Sequence, residues 1–291
     1  MLVNIHPEPI GDFDANLPYI SSVYLNDYVR KFQNLGNTDI TLISNGEPGL
    51  RLHAAQTFLA QRGIDTKTQT LPPRYNGPDT VFNGQGYAVI PGAVPGCPEL
   101  VNYYLAVYHE LEENINQLAN ADIFYGFKKF NHLRWYQYGL AMPDTACPMH
   151  LRIRAMCHNV FWHYVRLLGD FLGCTQEDIA DRLLLRMNHS RPGQYRDPDK
   201  RTFIGGHWDT SVVTGSLYAN HPCQLVRINN HMIPVETFYD QTQETFLIPG
   251  IDYCDEFKTM TEPTWHEVVD QANNQDRVSV VAFLKRRRFR E

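Results

Sequence analysis

From residue 183 to residue 284 the chain reads as a run of short β-rich segments, LLLRMNHS, GGHWDTSVVTGSLY, CQLVRINNHMIPVE, TFLIPG and RVSVVAFLK, each set off by turn residues. Strands this short and this regularly punctuated point to a double-sheet jelly roll or a barrel, which buries one face of every strand and leaves few open edges. Within the third segment, Asn229-Asn230 is a candidate for a tight hairpin turn, since Asn tolerates the positive φ such turns require. The fold expected is therefore a mainly β, α+β chain built on a jelly-roll core.

Upstream the period changes. GYAVIPGAVPG (86–96) predicts a strand and a turn. Pro98 then opens a helix on which Leu100, Tyr104, Tyr108, Leu111, Ile115 and Leu118 recur at three- and four-residue spacing, a continuous apolar stripe. A second helix is expected after Pro148, with Met149, Ile153, Cys157, Val160, Leu168 and Leu172 on its inner side, and TQED (175–178) predicts the N-terminus of a third, shorter one. Nearer the start, EPGLRLHAAQTFLAQRG reads as a helix, and TKTQTLPPRYNGPDT (66–80) as a loop rich in Pro, Gly and Thr. The expected organisation is an N-terminal appendage over 1–80, packed on a core domain over 81–291 that carries the β-strands and their supporting helices.

Composition removes several functions. A formal net charge of −6 over 291 residues argues against a nucleic-acid binder, which needs a basic face to neutralise phosphates. The basic run KRRRFR (285–290) reads as a solvated tail. No apolar run reaches the roughly 20 residues of a membrane helix. The six cysteines lack CxxC pairing and no signal-peptide pattern opens the chain, so free thiols and a cytoplasmic protein are expected. A small molecule is the expected partner.

The chemistry concentrates in GGHWD (205–209). Residues two apart on a strand share a face, so His207 and Asp209 can converge on one ion while Trp208 points into the core. With 12 His and 32 acidic residues a His-x-Asp or His-x-Glu is expected by chance, and His6-Pro7-Glu8 is another. Specificity comes from further members. His266 follows in PTWHEVV, and RVS (277–279) is the only Arg-x-Ser in the chain, again with both side chains on one strand face. Near His6 no Arg-x-Ser follows. Two imidazoles and one carboxylate suit Fe(II) and leave coordination positions open. A guanidinium beside a hydroxyl, Arg277 and Ser279, suits the distal carboxylate of a 2-oxo acid.

With LRMNHSRP (185–192), CQLVRINNHMIPV (223–235), FLIPGIDYCDEF (246–257) and NGQGYAVIPGAVP (83–95), this pattern resembles the isopenicillin N synthase-like branch of the Fe(II)/2-oxoglutarate-dependent oxygenases. The resemblance covers about a third of the chain and implies a double-stranded β-helix with a helical N-terminal part. It implies Fe(II) held by His207, Asp209 and His266, 2-oxoglutarate held by Arg277 and Ser279, and Asn188 beside the metal-bound end. Dioxygen is then the oxidant, and decarboxylation of 2-oxoglutarate is coupled to hydroxylation or desaturation of a small organic substrate. The stretch that usually ends Asn-Tyr-Tyr here ends Asn188-His189-Ser190, so one wall of the cosubstrate pocket differs. A carboxylate at Asp209 argues against halogenation, which needs that position open.

The remaining residues carry weaker expectations. Arg186, two residues before Asn188 and so on its face, is a candidate substrate contact, since a buried Arg needs an anionic partner. His189 is a second candidate, because its slot in the resembling family faces the pocket. His158 and His163, five apart on a helix, read as core or surface, and His231 as solvated. The Tyr-rich stretches NYYLAVYH and RWYQYG read mainly as packing aromatics. The polar, Pro- and Gly-broken segment 190–202 is a candidate lid. An Fe(II) oxidase that uses no 2-oxoglutarate, a non-catalytic jelly-roll binding module, and a zinc hydrolase are the competing functions.

Overall fold

In the computed structural model, residues 2–5, 40–45, 60, 66–71, 81–82, 85–113, 125–130, 133–142, 147–229, 231–257, 259, 261–270 and 274–286 are described. The first three strands, β1 (Leu2–Ile5), β2 (Ile40–Asn45) and β3 (Thr66–Leu71), form a parallel sheet in the order β1-β2-β3. This corrects the start of the loop expected over 66–80; residues 72–80 lie outside the described residues. Thr66, Thr68 and Thr70 alternate along the strand, and β-branched residues at that period favour extended backbone over the loop suggested by the Pro and Gly that follow. The helix expected over 47–63 lies outside the described residues, apart from residue 60.

The rest is built from two antiparallel sheets. The larger contains β4 (Ala88–Pro91), β5 (Gly126–Phe130), β6 (Leu133–Tyr138), β7 (Leu183–Ser190), β9 (Val213–Ala219), β12 (Glu244–Pro249) and β14 (Arg277–Leu284), in the order β4-β12-β9-β14-β7-β6-β5. The smaller contains β8 (Thr202–His207), β10 (Gln224–Ile228), β11 (His231–Pro234) and β13 (His266–Val269), in the order β11-β10-β13-β8. From β7 to β14 the chain passes back and forth between the sheets, staying in one only at the β10–β11 hairpin. That alternation makes a jelly roll. The hairpin turns at Asn229, whose φ is +49°, and pairs Ile228 with His231.

Four α-helices are described: α1 (Cys97–Glu113), α2 (Pro148–Leu172), α3 (Gln176–Ala180) and α4 (Tyr253–Phe257). Pro148 occupies the first turn of α2, where its missing N–H costs nothing, and Gly173 closes the helix at φ 65°. Thr175 caps α3, its hydroxyl accepting from the Asp178 N–H at 3.2 Å. Leu100, Val101 and Tyr104 of α1 and Ile153, Val160, Phe161, Tyr164 and Leu168 of α2 cover the outer face of the large sheet. That face presents Leu183, Leu185 and Met187 of β7 and Val278, Val280, Ala282 and Leu284 of β14, all buried.

Side chains alternate across a strand, so the residues between these belong to the opposite face, which looks toward the small sheet. On β14 the inward row is Arg277, Ser279, Val281 and Phe283, continued by Lys285. On β7 it is Leu184, Arg186, Asn188 and Ser190. Register places Arg277 opposite Ser190, Ser279 opposite Asn188, and Val281 opposite Arg186. Polar and charged side chains occur on this inner face in place of a second apolar core. A smaller apolar cluster of Val226, Val235, Phe246 and Ile248 fills the space between the sheets elsewhere.

Candidate metal centre

His207 ends β8 and His266 begins β13, and the two are paired directly across the small sheet. Their ring centroids are 4.3 Å apart. Asp209, just past the end of β8, reaches both: Oδ1 lies 3.5 Å from His207 Nε2 and Oδ2 lies 3.4 Å from His266 Nε2. One ligand atom from each residue falls within 4.8 Å of the others. Glycine sets up the strand end, because a β-carbon at Gly206 would overlap the Trp265 indole packed against it.

The protons of this group can be assigned from its hydrogen bonds. His207 Nδ1 lies 2.8 Å from the Gly205 carbonyl oxygen and His266 Nδ1 lies 3.2 Å from that of Thr264, so each Nδ1–H donates to a carbonyl. Both Nε2 atoms then face Asp209 as bare lone pairs. Burial favours this neutral form, taking the His266 imidazole down to about 4. Asp209 Oδ2 is sealed from solvent and accepts no hydrogen bond. Three electron-pair donors aimed at one point, with an orphaned buried carboxylate oxygen among them, need a cation to offset their repulsion. The donor set therefore fits a divalent metal.

Across from this group, on the inner face of the large sheet, Arg277 is buried at 3% exposure and Ser279 at 4%. Arg277 Nη1 donates to Ser279 Oγ at 3.0 Å and its Nε to the His221 carbonyl at 3.2 Å. Burial lowers its pKa, with Cys223, Glu236 and Tyr239 acting in the opposite sense at a distance. Among the described residues its charge has no carboxylate in contact.

No protein-family model matches the sequence, and no curated protein matches it. Solved structures do. A full-length Neurospora crassa protein in complex with α-ketoglutarate superposes with a TM-score of 0.52 at 13% identity, over 69% of this chain and 74% of its own. The rice dioxygenase for auxin oxidation gives 0.52 at 15% identity, over 69% of this chain and 74% of its own. A Caulobacter crescentus protein assigned to the 2OG-Fe(II) oxygenase family gives 0.50 at 17% identity, over 70% and 78%. The chain has the fold of these oxygenases.

Within that oxygenase fold, the other expected site residues divide. Asn188 lies on the inner face, opposite Ser279 on one side and Trp135 of β6 on the other. Arg186 lies on the same face, where Gln137 Oε1 accepts from its Nε at 2.9 Å and its Nη2 at 2.5 Å. His189 is not brought to the site. Its position is one residue out of phase with Asn188, so the ring enters the helix layer and packs edge-on against Tyr108 at 4.5 Å and Tyr104 at 5.6 Å. There His189 Nε2 lies 3.1 Å from Asp276 Oδ2, and burial takes the imidazole down to about 4 against the opposing pull of Asp276. The residue that reaches inward is its neighbour Ser190, whose buried Oγ lies opposite Arg277 and has no hydrogen-bond partner.

Trp135, Gln137, Phe283 and Lys285 also line the inner face and were missed from sequence. Phe283 and Lys285 continue the two-residue period begun by Arg277 and Ser279, a signal that was present in RVSVVAFLK. Trp135 and Gln137 become legible only through the register of β6 on β7. The lid candidate 190–202 is tied to the sheet at its far end. Arg196 N donates to the Thr202 carbonyl at 2.8 Å, and Asp270 accepts from Arg201 at 2.6 Å and from Tyr195 Oη at 2.5 Å. His158 and His231 are exposed, and His158 Nδ1 lies 2.7 Å from Tyr138 Oη. Cys97 and Cys157 are buried free thiols, and no described helix is long and apolar enough to cross a membrane.

Proposed function

We propose that this protein is a non-haem Fe(II)- and 2-oxoglutarate-dependent oxygenase acting on a small organic molecule. The observation that carries the reading is the sealed, unpartnered Asp209 oxygen between two imidazoles whose Nε2 lone pairs converge on it. His207, Asp209 and His266 would hold the iron, which when bound supplies the dioxygen chemistry and draws its oxidising power from decarboxylation of the 2-oxo acid. The chain itself supplies position. The Gly205 and Thr264 carbonyls fix the two imidazole tautomers. Arg277 and Ser279 offer a charged and a neutral donor to the far carboxylate of the cosubstrate, and burial excludes water that would screen them. Asn188, beside Ser279, is suited to orient the metal-bound end.

The competing enzyme, an Fe(II) oxidase without a 2-oxo acid, would have to offer the buried Arg277 charge a carboxylate of its own substrate instead. Calorimetric titration of 2-oxoglutarate into Mn(II)-loaded protein, used as a redox-inert stand-in, tests the choice. Saturable binding that weakens about tenfold or more in Arg277→Gln is expected. Oxygen consumption by the Fe(II) form that proceeds unchanged without 2-oxoglutarate would sink the proposal.

A further inference from the structure

The inner face holds a second pair of cations, at the end of the β14 row away from Arg277. Arg186 has its guanidinium carbon 5.7 Å from the Trp135 ring and 5.2 Å from the Phe283 ring. Lys285 Nζ lies 5.3 Å from the same Phe283 ring and donates to the Thr210 carbonyl at 2.9 Å, one residue from the metal ligand Asp209. The hydrogen-bond partners of both cations are neutral: the Gln137 amide oxygen for Arg186 and a backbone carbonyl for Lys285. Among the described residues, no carboxylate touches either. Burial disfavours the charge on both, and Arg186 disfavours that on Lys285 further. Asp209 opposes this for both cations and Asp252 for Lys285, each from a distance. Two cations drawn out of water side by side are costly unless an anion joins them.

The proposed cofactors do not supply that anion. A divalent iron and Arg277 together cancel Asp209 and a dianionic 2-oxo acid. Arg186 and Lys285 are then left over, with Asp252 acting from a distance on Lys285. The charge balance is then short of one further negative group.

We infer that Arg186 and Lys285 form an anion-recognition subsite that selects a carboxylate-bearing or otherwise singly anionic substrate and seats it beside the metal, with Trp135 and Phe283 packing its apolar part. This rests on the oxygenase reading for the word substrate, but the anion site is a property of the chain alone. Arg186 offers the in-plane donors that a carboxylate accepts in pairs, and Gln137 holds the guanidinium in that orientation. A neutral molecule of the same shape would leave both charges unpaired, so discrimination by charge is the predicted specificity.

Benzoate and its neutral counterpart benzamide, together with acetate as a minimal anion, test the subsite by equilibrium titration into the Mn(II)- and 2-oxoglutarate-loaded protein and into the metal-free protein. Expected is benzoate or acetate binding that benzamide does not reproduce. That binding should weaken about tenfold or more in Arg186→Gln and in Lys285→Gln, and by less in Arg186→Lys, which keeps the charge but loses the paired in-plane donors. Retained Mn(II) affinity in each variant shows that the fold is intact, and Lys285→Gln, beyond the end of its strand, serves if Arg186→Gln fails to fold. Benzamide binding as tightly as benzoate, anion binding unchanged in both Gln variants, or no anion binding at tens of millimolar would each overturn the inference. If the wild type binds no Mn(II) or 2-oxoglutarate while the metal-free protein still binds benzoate through Arg186, the oxygenase reading fails and the anion site stands.

Discussion

At the scale of single residues, the centre is defined by what is missing around Asp209. Its Oδ2 is buried without a donor, while both neighbouring imidazoles spend their Nδ1 protons on backbone carbonyls. Asp209→Asn should therefore cost the metal-free protein little, because an amide can donate where the carboxylate could only repel. The loss should appear on metal addition. Wild type should gain thermal stability with rising Mn(II), whereas Asp209→Asn should gain almost none at the same concentrations. Equal stabilisation of the two proteins would place the metal elsewhere. Ser190 offers a second residue-scale test. Its Oγ faces Arg277 without a partner, at the position where the resembling family commonly has Tyr. An incoming carboxylate can satisfy it, so Ser190→Ala should weaken 2-oxoglutarate by a few-fold, about 1 kcal/mol, with Mn(II) affinity unchanged. Unchanged 2-oxoglutarate affinity would remove Ser190 from the pocket.

At the scale of elements, most of what was legible in the sequence came from period. The stripe Leu100–Tyr104–Tyr108–Leu111 and the proline at 148 mark α1 and α2, and the alternation in RVSVVAFLK marks β14, because side-chain direction follows mechanically from 3.6- and 2-residue repeats. What period could not give was the pairing of strands far apart in sequence. His189 shows the cost: chemically suited to the site, it faces the helices because its parity on β7 is opposite to that of Arg186 and Asn188. The Thr-rich strand β3 was hidden by the turn residues after it. The contact between α2 and the large sheet was equally invisible in sequence. A β-carbon at Gly215 of β9 would collide with the Tyr164 hydroxyl, which is itself buried and without a hydrogen-bond partner. Gly215→Ala should cost about 1–3 kcal/mol by denaturant unfolding. Tyr164→Phe should be neutral or stabilising by up to about 1 kcal/mol, since it removes an unsatisfied group. In the Tyr164→Phe background the Gly215→Ala penalty should shrink, and strict additivity would mean the two side chains do not meet.

At the scale of the whole molecule, the two sheets and the helix layer together make a pH-dependent stability, and His189 isolates it from the metal centre. This imidazole is fully buried among Tyr104, Tyr108 and Asp276, and burial takes it from 6.5 to about 4 although Asp276 pulls the other way. The unfolded chain therefore binds this proton more readily than the folded one. Its contribution is complete above about pH 6.5, where the group is neutral in both states, and is lost progressively as pH falls toward about 4. His266 shifts in the same direction, also mainly through burial, and steepens the loss in the same window. Unfolding free energies of the metal-free protein measured between pH 8 and pH 4 should thus fall with decreasing pH, and His189→Gln should flatten part of that slope. The variant should still bind Mn(II) and 2-oxoglutarate as the wild type does, because the ring it replaces lies on the far side of β7 from both. A slope unaltered in His189→Gln would show that this histidine is protonated equally in the folded and unfolded chains, while weakened Mn(II) binding would show that the helix layer reaches the metal through β7.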